Sequence, residues 1–246
     1  MCHKILEGAI FIADAHENEN RHNLWRFLLL LRDKKIQTRQ LFLMGDMFDL
    51  LVDEVTSTHQ KYKKYITLLE DLACEMEIFY FEGNHDFCLK NLFSRVIVIP
   101  IAKQPMPFIF IDTTPCLLAH GDKNNGILNS IYTSIIRFRP LLWALNRYDL
   151  FVNFKVSSKI EKSLLPKKIC KKIENFHTII TAKMKHYPPI KNLHVIEGHY
   201  HQNESFMIDG VHYINLPSFA CDQSYFIVEC SNSKKFAQKN IRGYDV

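Results

Sequence analysis

The sequence lacks a long apolar run, and its cysteines lack the spacing of a known motif. Residues 8–13 form the first apolar run, which is far too short for a signal-peptide core or a membrane span. The seven cysteines are odd in number, scattered and never spaced as C-x-x-C, which argues against a disulfide framework and a structural zinc site. We therefore expect a protein of the reducing cytoplasm.

Low complexity and internal repeats are also missing, and no signature of a serine, cysteine or lysine nucleophile is present. The 246 residues are 47% hydrophobic and 12% aromatic, which is typical of a packed globule rather than a disordered chain. A chain of this length ordinarily forms one α/β domain, so we expect residues 1–246 to be a single domain.

Five short apolar runs end abruptly in polar residues, and each predicts a buried strand followed by a functional loop. They cover residues 10–13, 41–44, 78–81, 116–119 and 193–196. Helical periodicity lies between the first three, at residues 20–32 and 59–74. This alternation favours a largely parallel sheet, whose ligands bind beyond the carboxyl ends of the strands. Later, Asp209-Gly210 between two short apolar runs predicts a hairpin.

Residues 126–189 differ from both flanks, because they carry few strand signals and show apolar residues at helical spacing. We interpret them as a helical insertion. From residue 124 to 192 there are thirteen Lys and Arg against three acidic residues, a local charge of +10 in a chain of net +5. Such a basic stretch attracts anions.

Acidic, amide and imidazole side chains follow the predicted strands. Oxygen and imidazole nitrogen donors suit divalent Mn, Fe, Co, Zn or Mg, and one such block alone would mean little. Five blocks in succession predict a metal site. Residues two apart on an extended segment point the same way, so Asp14 with His16 and His199 with His201 can reach a common site. The candidates are Asp14, His16, Asp46, Asn84, His85, His120, His199 and His201.

The order D-A-H, G-D-M-F-D, G-N-H-D, H-G-D, G-H-Y-H resembles the calcineurin-like metallophosphoesterases over most of the chain. The resemblance implies a four-layer αββα sandwich with the helical insertion between the fourth and fifth blocks. It also implies that Asp14, His16 and His201 hold one metal, that Asn84, His120 and His199 hold another, and that Asp46 bridges both. His85 would act on the phosphate or the leaving group, with Asp86 orienting it.

The implied cofactor is a pair of divalent ions, with Mn expected and Fe, Zn, Co or Mg as alternatives. Two cations about 3.5–4 Å apart lower the pKa of a shared water and clamp the oxygens of an in-line displacement. The implied reaction is therefore attack by a metal-bound hydroxide on a phosphoester. From position alone, Asp49 and Asp122 are expected to hydrogen-bond the ligand loops.

Within the family, the chain looks most like the UDP-2,3-diacylglucosamine pyrophosphatases of lipid A synthesis. The features that carry this likeness are G-D-M-F-D, Asp86-Phe87, H-G-D and a long basic insertion. That resemblance implies hydrolysis of an acylated sugar nucleotide to UMP and 2,3-diacylglucosamine 1-phosphate. It also implies peripheral contact with the anionic cytoplasmic face of the inner membrane, through apolar and basic residues of the insertion. One position departs, because many members of that subfamily carry arginine where this chain has His85. The exposed residues expected to contact acyl chains, while the lysines meet anionic head groups, are Leu141, Leu142, Trp143, Leu145, Phe151 and Phe154.

Other interpretations remain open. The insertion could simply pack on the sheet with its lysines as a solvated rim. The enzyme could be a general phosphodiesterase, or a nuclease whose basic segment grips nucleic acid, although no second domain supports that. A protein phosphatase is disfavoured because G-D-M-F-D lacks the expected Asp-Arg-Gly. A non-catalytic scaffold on this fold is the alternative from another class. No obligatory protein partner is indicated.

Overall fold

The computed structural model describes residues 3–123, 134–166, 168–231 and 235–244. The strands are β1 (His3–Ile5), β2 (Ile10–Ile12), β3 (Gln40–Leu43), β4 (Leu51–Val52), β5 (Glu77–Phe81), β6 (Asp86–Phe87), β7 (Ile97–Ile99), β8 (Met106–Phe110), β9 (Pro115–Ala119), β10 (His194–Glu197), β11 (Glu204–Ile208), β12 (Val211–Asn215), β13 (Ser224–Val228) and β14 (Phe236–Asn240). The helices are α1 (Asn23–Arg32), α2 (Thr56–Leu72), α3 (Arg139–Phe151), α4 (Lys155–Leu164), α5 (Phe176–Met184) and α6 (Phe219–Asp222), with short 3₁₀ helices at Leu89–Asn91 and Ile101–Lys103.

Two six-stranded sheets form the centre of the molecule. Their strand orders are β1-β8-β9-β10-β12-β11 and β14-β13-β2-β3-β5-β7. The five strands predicted from apolar runs are confirmed as β2, β3, β5, β9 and β10, but they are divided between the two sheets. Neighbours among them pair in parallel, β2 with β3 and β3 with β5 in one sheet, β9 with β10 in the other. The functional loops that follow them therefore leave the sheets in a common direction.

Aromatic rings fill the space between the sheets. Phe11 stacks on Phe42 with ring centroids 4.3 Å apart, and Phe42 stacks on Phe79 at 5.0 Å. Phe108 of the opposite sheet meets Phe42 edge-on at 5.5 Å. Their strand neighbours Ile10 and Leu41 point to the other face, as the two-residue period of a strand requires. Both faces of these strands are thus buried, which explains their continuous apolar sequences.

Helices cover the outer faces of both sheets. The apolar side of α1 and α2, including Leu24, Phe27 and Leu69, packs with Ile10 and Leu41 of the sheet that contains β2. On the other sheet, α5 supplies Phe176, Ile180 and Met184 to a core with Val195 and Tyr213. The predicted four-layer αββα sandwich is confirmed.

In the described part of the basic segment, α3, α4 and α5 alternate with irregular stretches, and these helices have different roles. The α5 helix packs on a sheet as an outer layer of the sandwich. For this helix, the alternative interpretation that the insertion simply packs on the sheet is confirmed. By contrast, α3 and α4 lie over the loops that follow β3 and β5. Within α3, Leu142 is buried against Val52 and Phe87, so the expectation that its side chain is exposed is wrong. The predicted start of the insertion near residue 126 lies outside the described residues.

The hairpin predicted at Asp209-Gly210 is confirmed, because β11 and β12 pair antiparallel on either side of it. Asp209 has φ +49° and Gly210 has φ +80°. Positive φ at both central residues gives the turn the twist of the flanking strands, and Asp and Gly tolerate it better than other residues. In the described part of the chain, no helix combines the length and apolarity that crossing a bilayer requires.

A disulfide joins Cys170 to Cys221, with Cα atoms 5.7 Å apart. The expectation that the cysteines form no disulfide is therefore wrong for this pair. The two residues are 51 positions apart, and spacing alone does not reveal such a pairing. The bridge ties the chain before α5 to α6, near the loops that carry the candidate ligands.

Thiol titration of the denatured protein checks this bridge. We expect two fewer reactive thiols per chain before reduction than after it, because the bridged sulfurs do not react. A Cys170→Ser variant serves as the control, since its thiol count should not change on reduction. Equal counts for the unaltered protein before and after reduction would show that the pair is not bridged.

Candidate metal centre

The candidate ligands meet where the carboxyl ends of strands from both sheets converge. Asp14 and His16 follow β2, Asp46 follows β3, and His85 follows β5. His120 follows β9 in the second sheet, and His199 and His201 follow β10. Within three overlapping groups, the ligand atoms all lie within 4.8 Å of one another. These groups are Asp14, His16 and His201; His16, Asp46 and His85; and Asp46, His120 and His199.

The groups share members and therefore form one centre. Asp46 belongs to two of them, and its Oδ2 lies 3.5 Å from His120 Nε2. Asn84 joins the second half of the centre, with its Oδ1 3.3 Å from the same nitrogen. Asp14 Oδ1 lies 3.1 Å from His201 Nε2 in the first half. The structure thus brings together all eight side chains that the sequence singled out.

Backbone carbonyl groups fix the orientation of three of these imidazoles. His120 Nδ1 lies 2.9 Å from Met44 O, His201 Nδ1 2.7 Å from Ile169 O, and His85 Nδ1 2.7 Å from Asp49 O. A carbonyl oxygen can only accept, so Nδ1 carries the proton in each neutral ring. The lone pair is then on Nε2, the atom through which His120 and His201 would bind a metal.

His16 provides a direct test of whether a metal fits. Its Nδ1 lies 3.2 Å from Asp49 Oδ1, whereas its buried Nε2 has no hydrogen-bond partner among the described residues. A buried polar atom without a partner is costly unless something else binds it. Two fully buried carboxylates, Asp14 and Asp46, face the same space. This set of nitrogen and oxygen donors fits divalent transition-metal ions.

The sequence profile of the family described as calcineurin-like phosphoesterases matches residues 9–214. The chain belongs to this family of metal-dependent phosphoester hydrolases. Curated relatives include UDP-2,3-diacylglucosamine hydrolase of Pseudomonas putida, 24% identical over 82% of this chain and 85% of that protein. The protein of the same name from Histophilus somni is 24% identical over 69% of this chain and 73% of its own length.

In this phosphoesterase, opposite charges within the centre shift several pKa values. Burial raises the pKa of Asp46, but His120 and His85 lower it further, and the result lies well below the usual range. Burial lowers the pKa of His120, yet Asp46 and Asp14 raise it well above its usual value. Burial and His120 together lower the pKa of His199 to about 4. The positive charge of protonated imidazole thus offsets the negative charge of the carboxylates. Bound cations would take over this role.

Backbone strain is concentrated at the same residues. Asp14, His16, Asp46, His199 and His201 all adopt positive φ, between 46° and 62°. Asp and His enter this region more readily than most residues, but each instance still costs free energy. The surrounding packing therefore holds the ligand loops in a shape that an isolated chain would avoid.

Glycines precede several ligands because the loops pack too closely for a side chain. A Cβ on Gly83 would lie 2.2 Å from Asp46 Oδ1, and one on Gly198 would lie 2.6 Å from Asp14 Oδ2. These glycines are required for space, which the sequence pattern did not reveal.

The Asp86 carboxylate holds the backbone of the loop that carries Asp46. The carboxylate accepts hydrogen bonds from Asp46 N at 2.9 Å, Met47 N at 2.6 Å and the Tyr80 hydroxyl at 2.6 Å. Burial and the nearby Asp46 raise its pKa to about 7. Asp86 therefore anchors the loop that carries Asp46, and the His85 ring contacts the backbone of Asp49.

Other polar residues support the ligands. Asp49 contacts His16, as its position suggested, and it also accepts from Asn18 Nδ2 at 2.5 Å and from Arg21 Nη2 at 2.9 Å. Arg137 Nη2 donates to Gly83 O at 2.9 Å and lies 3.3 Å from Asp122 Oδ2. Sequence reasoning missed Asn18, Arg21 and Arg137, because no local spacing connects them with residues so distant in the chain.

Substitutions at Asp46 and His85 should separate metal binding from chemistry. We expect Asp46→Asn to lose bound Mn²⁺, because the anion shared by both halves of the centre disappears. We expect His85→Ala to keep its Mn²⁺ and to lose activity by about 10²–10⁴-fold, the usual contribution of a proton-transfer residue. Elemental analysis after dialysis and turnover of bis-p-nitrophenyl phosphate measure the two effects. Equal metal loss in both variants would contradict this division of roles.

Proposed function

We propose that this phosphoesterase binds two divalent cations and hydrolyses the pyrophosphate of UDP-2,3-diacylglucosamine to UMP and 2,3-diacylglucosamine 1-phosphate. The observation that carries the proposal is a cavity of about 640 Å³ that begins at the candidate metal ligands and continues into apolar space. A phosphoester with a long apolar group would fill both parts at once.

The cavity has a polar end and an apolar end. Asn84, His85 and His199 line the polar end, next to the centre. Side chains from the loop after β3, from β4 and from the inner faces of α3 and α4 line the remainder. These apolar residues include Leu50, Val52, Val55, Phe87, Leu141, Leu142, Leu145, Ile160 and Leu164.

In this proposal, Asp14, His16 and His201 would hold one cation, Asn84, His120 and His199 would hold the other, and Asp46 would contribute to both. The cations, when bound, supply an activated water and positive charge beside the phosphoryl oxygens. His85 lies within the same cluster with Nδ1 held by Asp49 O, so the protonated ring would donate its Nε2 proton to the leaving oxygen. Asp86 keeps Asp46 in place through its two backbone hydrogen bonds.

The apolar lining favours an acylated substrate over nucleic acid. Among the described residues that line the cavity, none is Lys or Arg. A groove for single-stranded nucleic acid would present basic residues along the backbone and aromatic rings to the bases. The names of the relatives from Pseudomonas putida and Histophilus somni agree with the acylated substrate.

A charged side chain in the cavity should discriminate between substrates. We expect Leu145→Glu to raise KM for UDP-2,3-diacylglucosamine by about tenfold or more, since about 1.4 kcal/mol of lost apolar contact gives that factor. Hydrolysis of bis-p-nitrophenyl phosphate should stay within about twofold, because that small diester needs only the polar end.

Leu150→Glu is the matched control, because Leu150 is an exposed residue of the same helix and is not part of the cavity lining. In assays with detergent, Leu150→Glu should show the KM of the unaltered protein for both substrates. Equal KM values for the two variants would contradict acyl binding in the cavity. Release of UMP is followed in each assay, and single-stranded DNA serves as the substrate of the rival nuclease function.

We propose further that α3 and α4 contact an anionic membrane at the cytoplasmic face. Phe151 is 84% exposed and Trp143 is 64% exposed on α3. Tyr148 of α3 and Lys155 and Lys159 of α4 border one shallow depression. Aromatic rings beside lysines suit the boundary between acyl chains and anionic headgroups.

Vesicle sedimentation tests this contact. We expect the double substitution Trp143→Glu and Phe151→Glu to weaken binding to phosphatidylglycerol-containing vesicles by about tenfold or more, because it removes apolar contact and adds repulsive charge. Ile111→Glu, at an exposed apolar residue between β8 and β9, is the control and should bind normally. Binding by all proteins alike, or by none, would contradict the proposed surface.

A further inference from the structure

Lys183 is a lysine of the basic segment that is buried, not solvated. It lies near the end of α5 and is 5% exposed. Its Nζ donates to Glu197 Oε2 at 2.7 Å and to Gly121 O at 2.6 Å. Lysines are almost never buried to this extent unless they are paired, so the contacts of this ammonium group define its role.

Both acceptors lie directly beside candidate metal ligands. Gly121 follows His120 after β9, and Glu197 is the last residue of β10, two positions before His199. The two strands are neighbours and parallel, with Ala119 opposite Glu197. One ammonium group therefore connects the two loops that carry His120 and His199, whose rings lie 5.1 Å apart.

The carboxylate of Glu197 is held from three sides. Besides Lys183, it accepts hydrogen bonds from the hydroxyls of Tyr213, at 3.0 Å, and Tyr187. Burial and this carboxylate raise the pKa of both tyrosines, so they remain donors. The network leaves the carboxylate little freedom, and the end of β10 is fixed in relation to α5.

Stability alone does not account for this ion pair. Burying two charges is costly, and replacing a buried pair by apolar side chains is often neutral or stabilising. The positions of its two acceptors are informative. Gly121 O and the Glu197 carboxylate both border the half of the centre formed by Asp46, His120 and His199.

We propose that Lys183 is a positioning residue that sets the separation of His120 and His199, and thereby the affinity of the cation site they share with Asp46 and Asn84. This inference rests on the two-cation centre of the proposed function but not on the identity of the phosphoester. It assigns the basic segment a role in metal binding as well as in covering the cavity.

The test uses the double variant Lys183→Met, Glu197→Gln, which keeps the side-chain sizes and leaves no unpaired charge. Calorimetric titration with Mn²⁺ should show that one equivalent keeps its affinity while the other binds about 10–100-fold more weakly, as is typical when residues behind metal ligands change. The visible spectrum of the Co²⁺-loaded protein should shift as well, because the ligand geometry at one site changes. Lys185→Met, an exposed charge at the end of the same helix, should match the unaltered protein in both measurements.

Two Mn²⁺ equivalents of unaltered affinity and an unaltered Co²⁺ spectrum in the double variant would overturn the inference. If that variant does not fold, Lys183→Arg, which keeps the charge and changes the length of the side chain, provides the same readout, with a weaker second equivalent expected and an unchanged one counting against the role. An unaltered protein that binds two cations but does not cleave UDP-2,3-diacylglucosamine would refute the proposed substrate alone. Binding of a single equivalent by the unaltered protein would overturn both proposals.

Discussion

The burial of two neighbouring carboxylates, Asp14 and Asp46, is the constraint on which the rest of the structure depends. Both are fully buried, and neither could remain ionised there without positive charge beside it. Imidazoles around them supply that charge. Positive φ values at the ligand residues direct the side chains inward, and glycines leave room for them. Apolar side chains buried between the sheets and beneath the outer helices stabilise the fold and offset the free-energy cost of this backbone strain.

The basic segment contributes to the fold, to the cavity and to the centre. Because α5 is an outer layer of the sandwich, deleting residues 126–189 would expose the core formed with Val195 and Tyr213. It would also remove Lys183 and leave the buried carboxylate of Glu197 without its ion-pair partner. Loss of activity on deletion would therefore not isolate a role in lipid binding, whereas point substitutions on α3 can do so.

Local patterns predicted much of the fold because backbone geometry is itself local. The strands β2, β3, β5, β9 and β10 were predicted from apolar runs, and the hairpin from Asp209-Gly210. Predictions that required knowledge of distant partners failed or were incomplete. The division of the strands into two sheets, the Cys170–Cys221 bridge and the burial of Leu142 all depend on contacts between remote segments.

The sequence by itself determined which donor atoms follow which strands, because residue identity and two-residue periodicity are written in it directly. Only the tertiary structure decided which of these atoms lie close together and which ring nitrogens contact the backbone. His120 and His201 are oriented by the carbonyl oxygens of Met44 and Ile169, which are 76 and 32 positions away. Such partners are selected by the packing of the sheets and helices, since closing long loops is compensated only when many contacts form together.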